Sequence, residues 1–160
     1  MTIDLETRLT DMAKVEDAEH QSLKLWLRLL SCSNLIQTDI RSRLRAHNTT
    51  LPRFDLMAQL EREPNGLRMG ELSKRLMVTG GNITSITDQL EREGMVARVA
   101  DAQDRRVYAV QLTEIGRNAF ASMAAEHEGW VQSLTAGLSL AEKQTLNGLL
   151  SKLKHHLHQH

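Results

Sequence analysis

The sequence predicts a mainly α-helical chain carrying one small β-hairpin, and three observations carry that expectation. Aromatic residues make up only 3% of the 160 residues while hydrophobic residues reach 41%. A core so poor in rings must be built from Leu, Ile, Val, Met and Ala, which suits packed helices better than a sandwich of strands. Apolar residues recur at helical spacing along most of the length, and only residues 95–112 switch to β-prone runs around a polar loop.

The first helix runs from about Val15 to His47, a stretch without Pro or Gly whose Leu23, Trp26, Leu27, Leu30, Ile36, Ile40 and Leu44 form the apolar series. Thr49 or Thr50 can cap a second helix, with Pro52 in its first turn, and Pro64-Asn65-Gly66 stops it after Glu63. Met69 to Leu76 is a short third helix. Met77-Val78 makes a turn, Thr79 caps a fourth helix reaching Glu93, and Gly94 stands where a left-handed terminal residue is expected. The hairpin pairs Met95–Val99 with Val107–Leu112 around Asp101–Arg106. Thr113 can cap a fifth helix with the stripe Ile115, Ala119, Met123, Trp130 and Leu134, ending near Ala136 and broken by Gly137. Ser139 and Glu142 make a capping box for a last helix, whose Leu146, Leu149, Leu150, Leu153 and Leu157 form a seam.

The chain has a formal net charge of zero, with 25% charged residues, so it lacks the overall basic excess common in nucleic-acid binders. Its charges are nevertheless sorted. Residues 1–22 hold Asp4, Glu6, Asp11, Glu16, Asp17 and Glu19 against Arg8 and Lys14, whereas residues 41–53 hold Arg41, Arg43, Arg45 and Arg53 and no acid. A single cysteine, Cys32, allows no internal disulfide, and the residues after Met1 are acidic where a secretion signal would be basic and then apolar. No apolar run approaches the roughly 20 residues that span a bilayer, so a cytoplasmic location without membrane contact is expected.

Two short helices joined by a tight turn and followed at once by a hairpin describe a winged helix-turn-helix, in which the second helix enters the DNA major groove. On the fourth helix, Ile83, Ile86 and Leu90 share one face and can pack on Leu72 and Leu76. Gly81, Asn82, Thr84, Ser85, Asp88 and Gln89 remain for the outer arc, with Gly80 beside Gly81 in the first turn. Asn and Gln pair with adenine edges, Ser and Thr donate to phosphates or bases, and the glycines allow close backbone approach. Arg105 and Arg106 at the hairpin tip suit a narrow minor groove. At least one of Asp101 and Asp104 is expected to pair with a neighbouring Arg and fix its direction. Arg68, Ser73, Lys74 and Thr79 complete the set of expected DNA contacts.

Residues 50–117 resemble the multiple antibiotic resistance regulator (MarR) family. The resemblance rests on Gly70-Glu71-Leu72-Ser73-Lys74-Arg75-Leu76, on Asn82-Ile83-Thr84 through Leu90-Glu91-Arg92-Glu93-Gly94-Met95-Val96, on the wing signature Asp104-Arg105-Arg106, and on Leu112-Thr113-Glu114-Ile115-Gly116. It implies a winged-helix DNA-binding domain over 50–113 and a helical dimerisation region over 1–47 and 114–160. It further implies a homodimer on a near-palindromic operator in double-stranded DNA, acting as a repressor released by an aromatic acid or its CoA thioester. Many members carry Arg or another bulky polar residue where this chain has Thr79-Gly80-Gly81-Asn82, which shifts the expected base contacts toward Asn82, Ser85, Gln89 and the wing arginines.

Trp26, Asn34, His127 and Trp130 are candidates to line an effector cavity, with His20, Arg53, Phe54 and Met57 as further candidates. For each the competing reading is ordinary packing. Arg53 or a basic residue of the first helix is the expected partner of a carboxylate. Cys32 can be read as a redox sensor or as an inert small apolar residue; with Tyr108 the sole tyrosine, no phenolic cluster supports the former. His155, His156, His158 and His160 crowd the end of the sequence without a thiolate or acid, which reads as a frayed helix end, so no metal or cofactor is expected. No glycine-rich phosphate loop or nucleophile motif points to an enzyme. The alternative to a DNA-binding regulator is a winged-helix protein-interaction module.

Overall fold

A computed structural model describes residues 5–76 and 80–159. The chain divides into two compact units, Met1–Arg43 and Leu44–His160. Within the first unit lies most of helix α1, Leu5–Ala46. It begins about ten residues before the expected Val15, because the preceding stretch holds no Pro or Gly and its acids suit the positive end of a helix. Its polar side is laced at four-residue spacing: Arg41 donates to Gln37 at 3.0 Å, and Arg43 pairs with Asp39 at 2.5 Å. Leu23, Trp26, Leu27, Leu30 and Cys32 are all exposed, whereas Ile40 and Leu44 at the end of the same series are buried, so only the earlier part of the apolar series on α1 is a surface.

The second unit contains α2 (Leu51–Glu61), β1 (Leu67–Arg68), α3 (Met69–Leu76), α4 (Gly80–Arg92), β2 (Val96–Ala100), β3 (Tyr108–Leu112), α5 (Glu114–Leu134) and α6 (Leu140–Leu157). Thr50, not Thr49, caps α2 by accepting the Arg53 amide, and Pro52 occupies its first turn. The expected cap of α4, Thr79, and the turn Met77-Val78 lie outside the described residues. At its other end α4 closes in a Schellman arrangement. Gly94, at φ +73°, donates to Glu91 O at 3.0 Å, and the Met95 amide donates to Leu90 O at 2.9 Å.

The sheet has three antiparallel strands in the order β1-β3-β2. Val96, Arg98 and Ala100 face Leu112, Val110 and Tyr108 across the hairpin, while Leu67 and Arg68 face Val110 and Ala109. Strand β1 was not expected from the sequence; two residues carry no periodicity, and their partners lie some forty positions away. The core joins Leu56, Leu60, Leu67, Leu72, Ile83, Leu90, Val96 and Val110, so α2, α3, α4 and the sheet bury a common set of aliphatic side chains. Fully burying each contributes about 1.5–3 kcal/mol relative to exposure. The predicted packing of Ile83, Ile86 and Leu90 against Leu72 and Leu76 is present, and it fixes which arc of α4 faces outward.

Helix α5 is capped by Thr113, whose Oγ1 accepts the Gly116 amide at 3.0 Å and itself donates to Gly94 O at 2.5 Å, tying α5 to the corner between α4 and β2. Two expectations for α5 require correction. Ile115 is 62% exposed rather than part of the packed stripe, and Phe120 takes the inward place. The helix also ends at Leu134, three residues before Gly137, where Thr135 Oγ1 donates to Val131 O at 2.8 Å. Helix α6 carries the predicted capping box: Ser139 N donates to Glu142 Oε2 at 2.8 Å and Glu142 N to Ser139 Oγ at 3.3 Å. It buries none of its residues, and its seam residues Leu146, Leu149, Leu150 and Leu157 stand open.

Candidate nucleic-acid interface and effector cavity

Because Ile83, Ile86 and Leu90 are committed to the core, the helical period leaves Asn82, Thr84, Ser85 and Gln89 on the solvent side of α4, and all four are exposed. Gly80 and Gly81 form its first turn. Asp88, on the same outer arc, is engaged: Arg98 of β2 donates to its Oδ1 at 2.5 Å and also pairs with Glu91. Arg98 therefore neutralises two acids of α4 and braces that helix against the first strand of the wing. Sequence reasoning missed this role, although a basic residue on a strand seven and ten positions beyond two acids was the available signal.

The wing loop is built on Asp101. Its carboxylate accepts Arg68 Nε at 3.0 Å and the amides of Gln103 and Asp104 at 2.9 and 3.1 Å. The Arg68 bond first, and then the two amides, hold its carboxyl well below the ordinary carboxylate range. Asp104 in turn orients Arg106, accepting its Nε at 3.3 Å while that side chain stays 92% exposed. Both acids thus pair with an arginine, as was expected of at least one of them. Arg105 is exposed beside Arg106.

The structure brings several expected contacts together. Arg68, Lys74 and Arg106, with Arg98, Glu71 and the exposed Tyr108, line a groove of about 610 Å³ between α3 and the wing. Tyr108 was not singled out from the sequence; its outward place at the start of β3 was the signal. Ser73 is half-buried on α3. Thr79 lies outside the described residues.

A second concavity of about 280 Å³ lies on the far side of the α4 end, lined by Arg53, Phe54 and Met57 of α2, Leu90, Glu93 and Met95 around the end of α4, Ala119, Phe120 and Met123 of α5, and His47 to Thr49. Of the effector candidates, Arg53, Phe54 and Met57 line it. His127 and Trp130 do not. They form its backing: the His127 ring lies 4.7 Å from the Phe54 ring and 6.2 Å from Trp130, and Phe120 touches Phe54 from another side at 5.4 Å. Trp26 and Asn34 belong to α1 in the first unit, and both are exposed. Arg53 makes a two-pronged pair with Glu93, its Nη1 donating to Oε1 at 3.0 Å and its Nη2 to Oε2. Its Nε is buried and has no partner among the described residues. Nearby, burial pushes the Asp55 carboxyl up, partly offset by His127. Glu93 and Phe120 were missed as cavity residues, since their roles depend on contacts between distant segments.

Elsewhere, no group of three or more metal-ligating side chains occurs among the described residues; His160 lies outside them. No described helix is long and apolar enough to cross a membrane.

A helix-turn-helix backed by a three-stranded sheet, with arginines on the loop between its last two strands, is a winged helix-turn-helix. Comparison with known proteins agrees. The model of the MarR family matches residues 49–108. The transcriptional activatory protein BadR of Rhodopseudomonas palustris is 32% identical over 103 residues, 63% of this chain and 59% of BadR, so the match spans less than two thirds of that relative. The transcriptional repressor MprA of Escherichia coli K12 is 28% identical over 145 residues, 90% of this chain and 82% of MprA. The crystal structure of a MarR family transcriptional regulator from Silicibacter pomeroyi superposes with a TM-score of 0.74 at 28% identity, covering 88% of this chain and 98% of that one. Residues 49–108 thus carry the MarR-family winged helix-turn-helix, and the fold matches that of a MarR family regulator over most of the chain.

Proposed function

We propose that this protein is a sequence-specific DNA-binding transcription regulator that acts as a homodimer and is released from its operator by an aromatic acid. The observation that carries the reading is the division of α4, with Ile83, Ile86 and Leu90 sealed in the core and Asn82, Thr84, Ser85 and Gln89 exposed beside glycines. Short amides and hydroxyls on a helix that can approach closely are the groups that read base edges and hold phosphates. Arg105 and Arg106 add a minor-groove contact, and Arg68, Ser73, Lys74 and Thr79 position the backbone. Repression is the sign of regulation we assign, since MprA, matched over most of this chain, is named a repressor.

Dimerisation is supported by surface chemistry. An 18-residue helix with no buried residue and an open leucine seam is one apolar face, and the exposed Leu23, Trp26, Leu27 and Leu30 on α1 are another; contiguous exposed apolar residues of this kind mark protein contacts. A twofold dimer would present two α4 helices about one DNA turn apart, roughly 34–36 Å, and so demand a near-palindrome. The cavity supports an aromatic acid over a CoA thioester: at about 280 Å³ it takes a ring and a carboxylate, and a CoA nucleotide would stay outside.

Gel-shift titration over a salt series on the chain's own promoter region tests the reading. Salt-sensitive binding to one near-palindrome is expected, and changing Arg105 and Arg106 to Ala should lower the salt slope by about one per lost phosphate contact. An absence of salt-sensitive binding would leave the fold as a protein-interaction module.

A further inference from the structure

The cavity already holds an anion. Glu93 places its carboxylate on both Nη groups of Arg53, and the two residues stand 40 positions apart, on α2 and just past the end of α4. Three features mark this pair as exchangeable. The Arg53 side chain is only 17% exposed, whereas Glu93 is 44% exposed, so the cation is fixed in the wall while the acid has a path to water. Arg53 Nε is buried without a partner, which leaves an unused donor on a guanidinium whose five donors match a planar carboxylate. Glu93 also sits at the negative end of the α4 dipole, where a carboxylate is disfavoured and depends on its cation to stay.

Most of the rest of the wall is apolar, with Phe54, Met57, Phe120 and Met123 beside this one guanidinium and His47, Asn48 and Thr49 at one side. We propose that Glu93 is a built-in competitor for the anion site on Arg53, and that an aromatic monocarboxylate enters the cavity by displacing it. The ring would lie among Phe54, Phe120 and the methionines, and its carboxylate would bridge one Nη, taken from Glu93, and the unused Nε. Displacement has a consequence for DNA reading. The Arg53 pair ties the last turn of α4 to α2, while Gly94 ties the next residue to Thr113. Losing the first tie frees one side of the end of the reading helix. The inference rests on the proposed role of aromatic acids and adds the group they must expel.

Calorimetry with benzoate, phenylacetate and 2-naphthoate, each beside its uncharged amide, on the full chain tests it. The wild type should bind at least one acid and none of the amides. Glu93→Gln, which keeps size and drops the charge, should bind that acid about tenfold tighter, equivalent to about 1.4 kcal/mol. DNA should weaken acid binding strongly in the wild type and hardly at all in Glu93→Gln, because binding free energies couple reciprocally. Arg53→Met should abolish binding. A measurement needing no variant accompanies these: in the wild type, the acid but not the amide should speed hydrogen exchange at residues 91–95. If the wild type binds an acid while exchange there is unchanged, or Glu93→Gln binds no tighter, displacement is refuted and the effector reading stands. If neither protein binds any acid, both fall.

Discussion

Changing Gly116 to Ala probes the joint on which the reading head is mounted. A Cβ built on Gly116 would stand 1.9 Å from Met95 O, 2.8 Å from Met95 C and 3.2 Å from Met95 Cα, all backbone atoms that cannot rotate away. The Met95 carbonyl would have to retreat by about 1 Å or more. It also accepts the Thr113 amide at 3.0 Å and Thr113 Oγ1 at 3.2 Å, so its retreat strains the residue that caps α5. Overpacking costs about 1–3 kcal/mol and a damaged cap about 1, while Ala in place of Gly in a helix returns about 1. The net destabilisation is about 2 kcal/mol. For a chain of 160 residues, that lowers Tm by roughly 4–8 °C. Circular-dichroism melts and urea titrations measure it, with the urea slope unchanged if only the native state is affected. Gly70→Ala is the control, because a Cβ there meets nothing within 4 Å, and it should be neutral or gain up to about 1 kcal/mol. A Gly116→Ala protein melting within about 1 °C of the wild type would refute the packing argument.

Two further outcomes follow from the wing and its brace. Asp101→Ala removes the acceptor of Arg68 and of two loop amides, so hydrogen exchange at Gln103 and Asp104 should accelerate. In the wild type the Asp101 carboxyl is depressed in the folded state, so its contribution is complete above its ordinary pKa of 3.8 and is lost only as pH falls below that. Wing protection, corrected for intrinsic exchange, should therefore be flat between about pH 5 and 8 and fail only in strong acid. Arg98→Met frees Asp88 and Glu91 on the reading helix while preserving the stem's packing. Operator binding should weaken by roughly three- to tenfold with the salt slope almost unchanged, since Arg98 positions α4 instead of meeting phosphate. A lost unit of slope would show it to be a phosphate contact.

What the sequence disclosed and what it withheld divide by distance along the chain. The capping box at Ser139 and Glu142, the Thr113 cap and the Gly94 terminus were legible because each is a rule over a few residues. The bounds of α3 were legible for a similar reason, with the spacing of Leu72 and Leu76 and the break after them both local. Strand β1 was not, because its two residues become a strand only by meeting Val110 and Ala109. The α5 stripe was misread at its first member. Ile115 and Phe120 both satisfy helical spacing loosely, and only the position of Phe54 decides which turns inward. At the candidate site the polar arc of α4 was visible from periodicity. The pairs Arg53–Glu93 and Arg98–Asp88 were not, since any of many acids could have served.

Those pairs also explain how a neutral chain can present a reading surface for DNA. Arg68 is paired with Asp101, Arg75 with Glu63, Arg98 with Asp88 and Glu91, and Arg106 with Asp104. Each pair cancels most of its own long-range field, and what it keeps is direction: a guanidinium held by an acid has its remaining donors aimed. Among the described residues of the winged part, Arg62, Lys74, Arg92 and Arg105 form no ion pair, so they carry the unscreened attraction of the head. Few free cations imply few released counterions, and hence modest affinity for arbitrary DNA. The aimed donors of Arg106 and the amides of α4 gain only when the correct groups face them. On the proposed function, this balance of acids and bases would lower nonspecific binding more than operator binding, which would place the discriminating power of the head in geometry and give its braces, Arg98 and Asp101, a part in it beside the groups proposed to meet DNA.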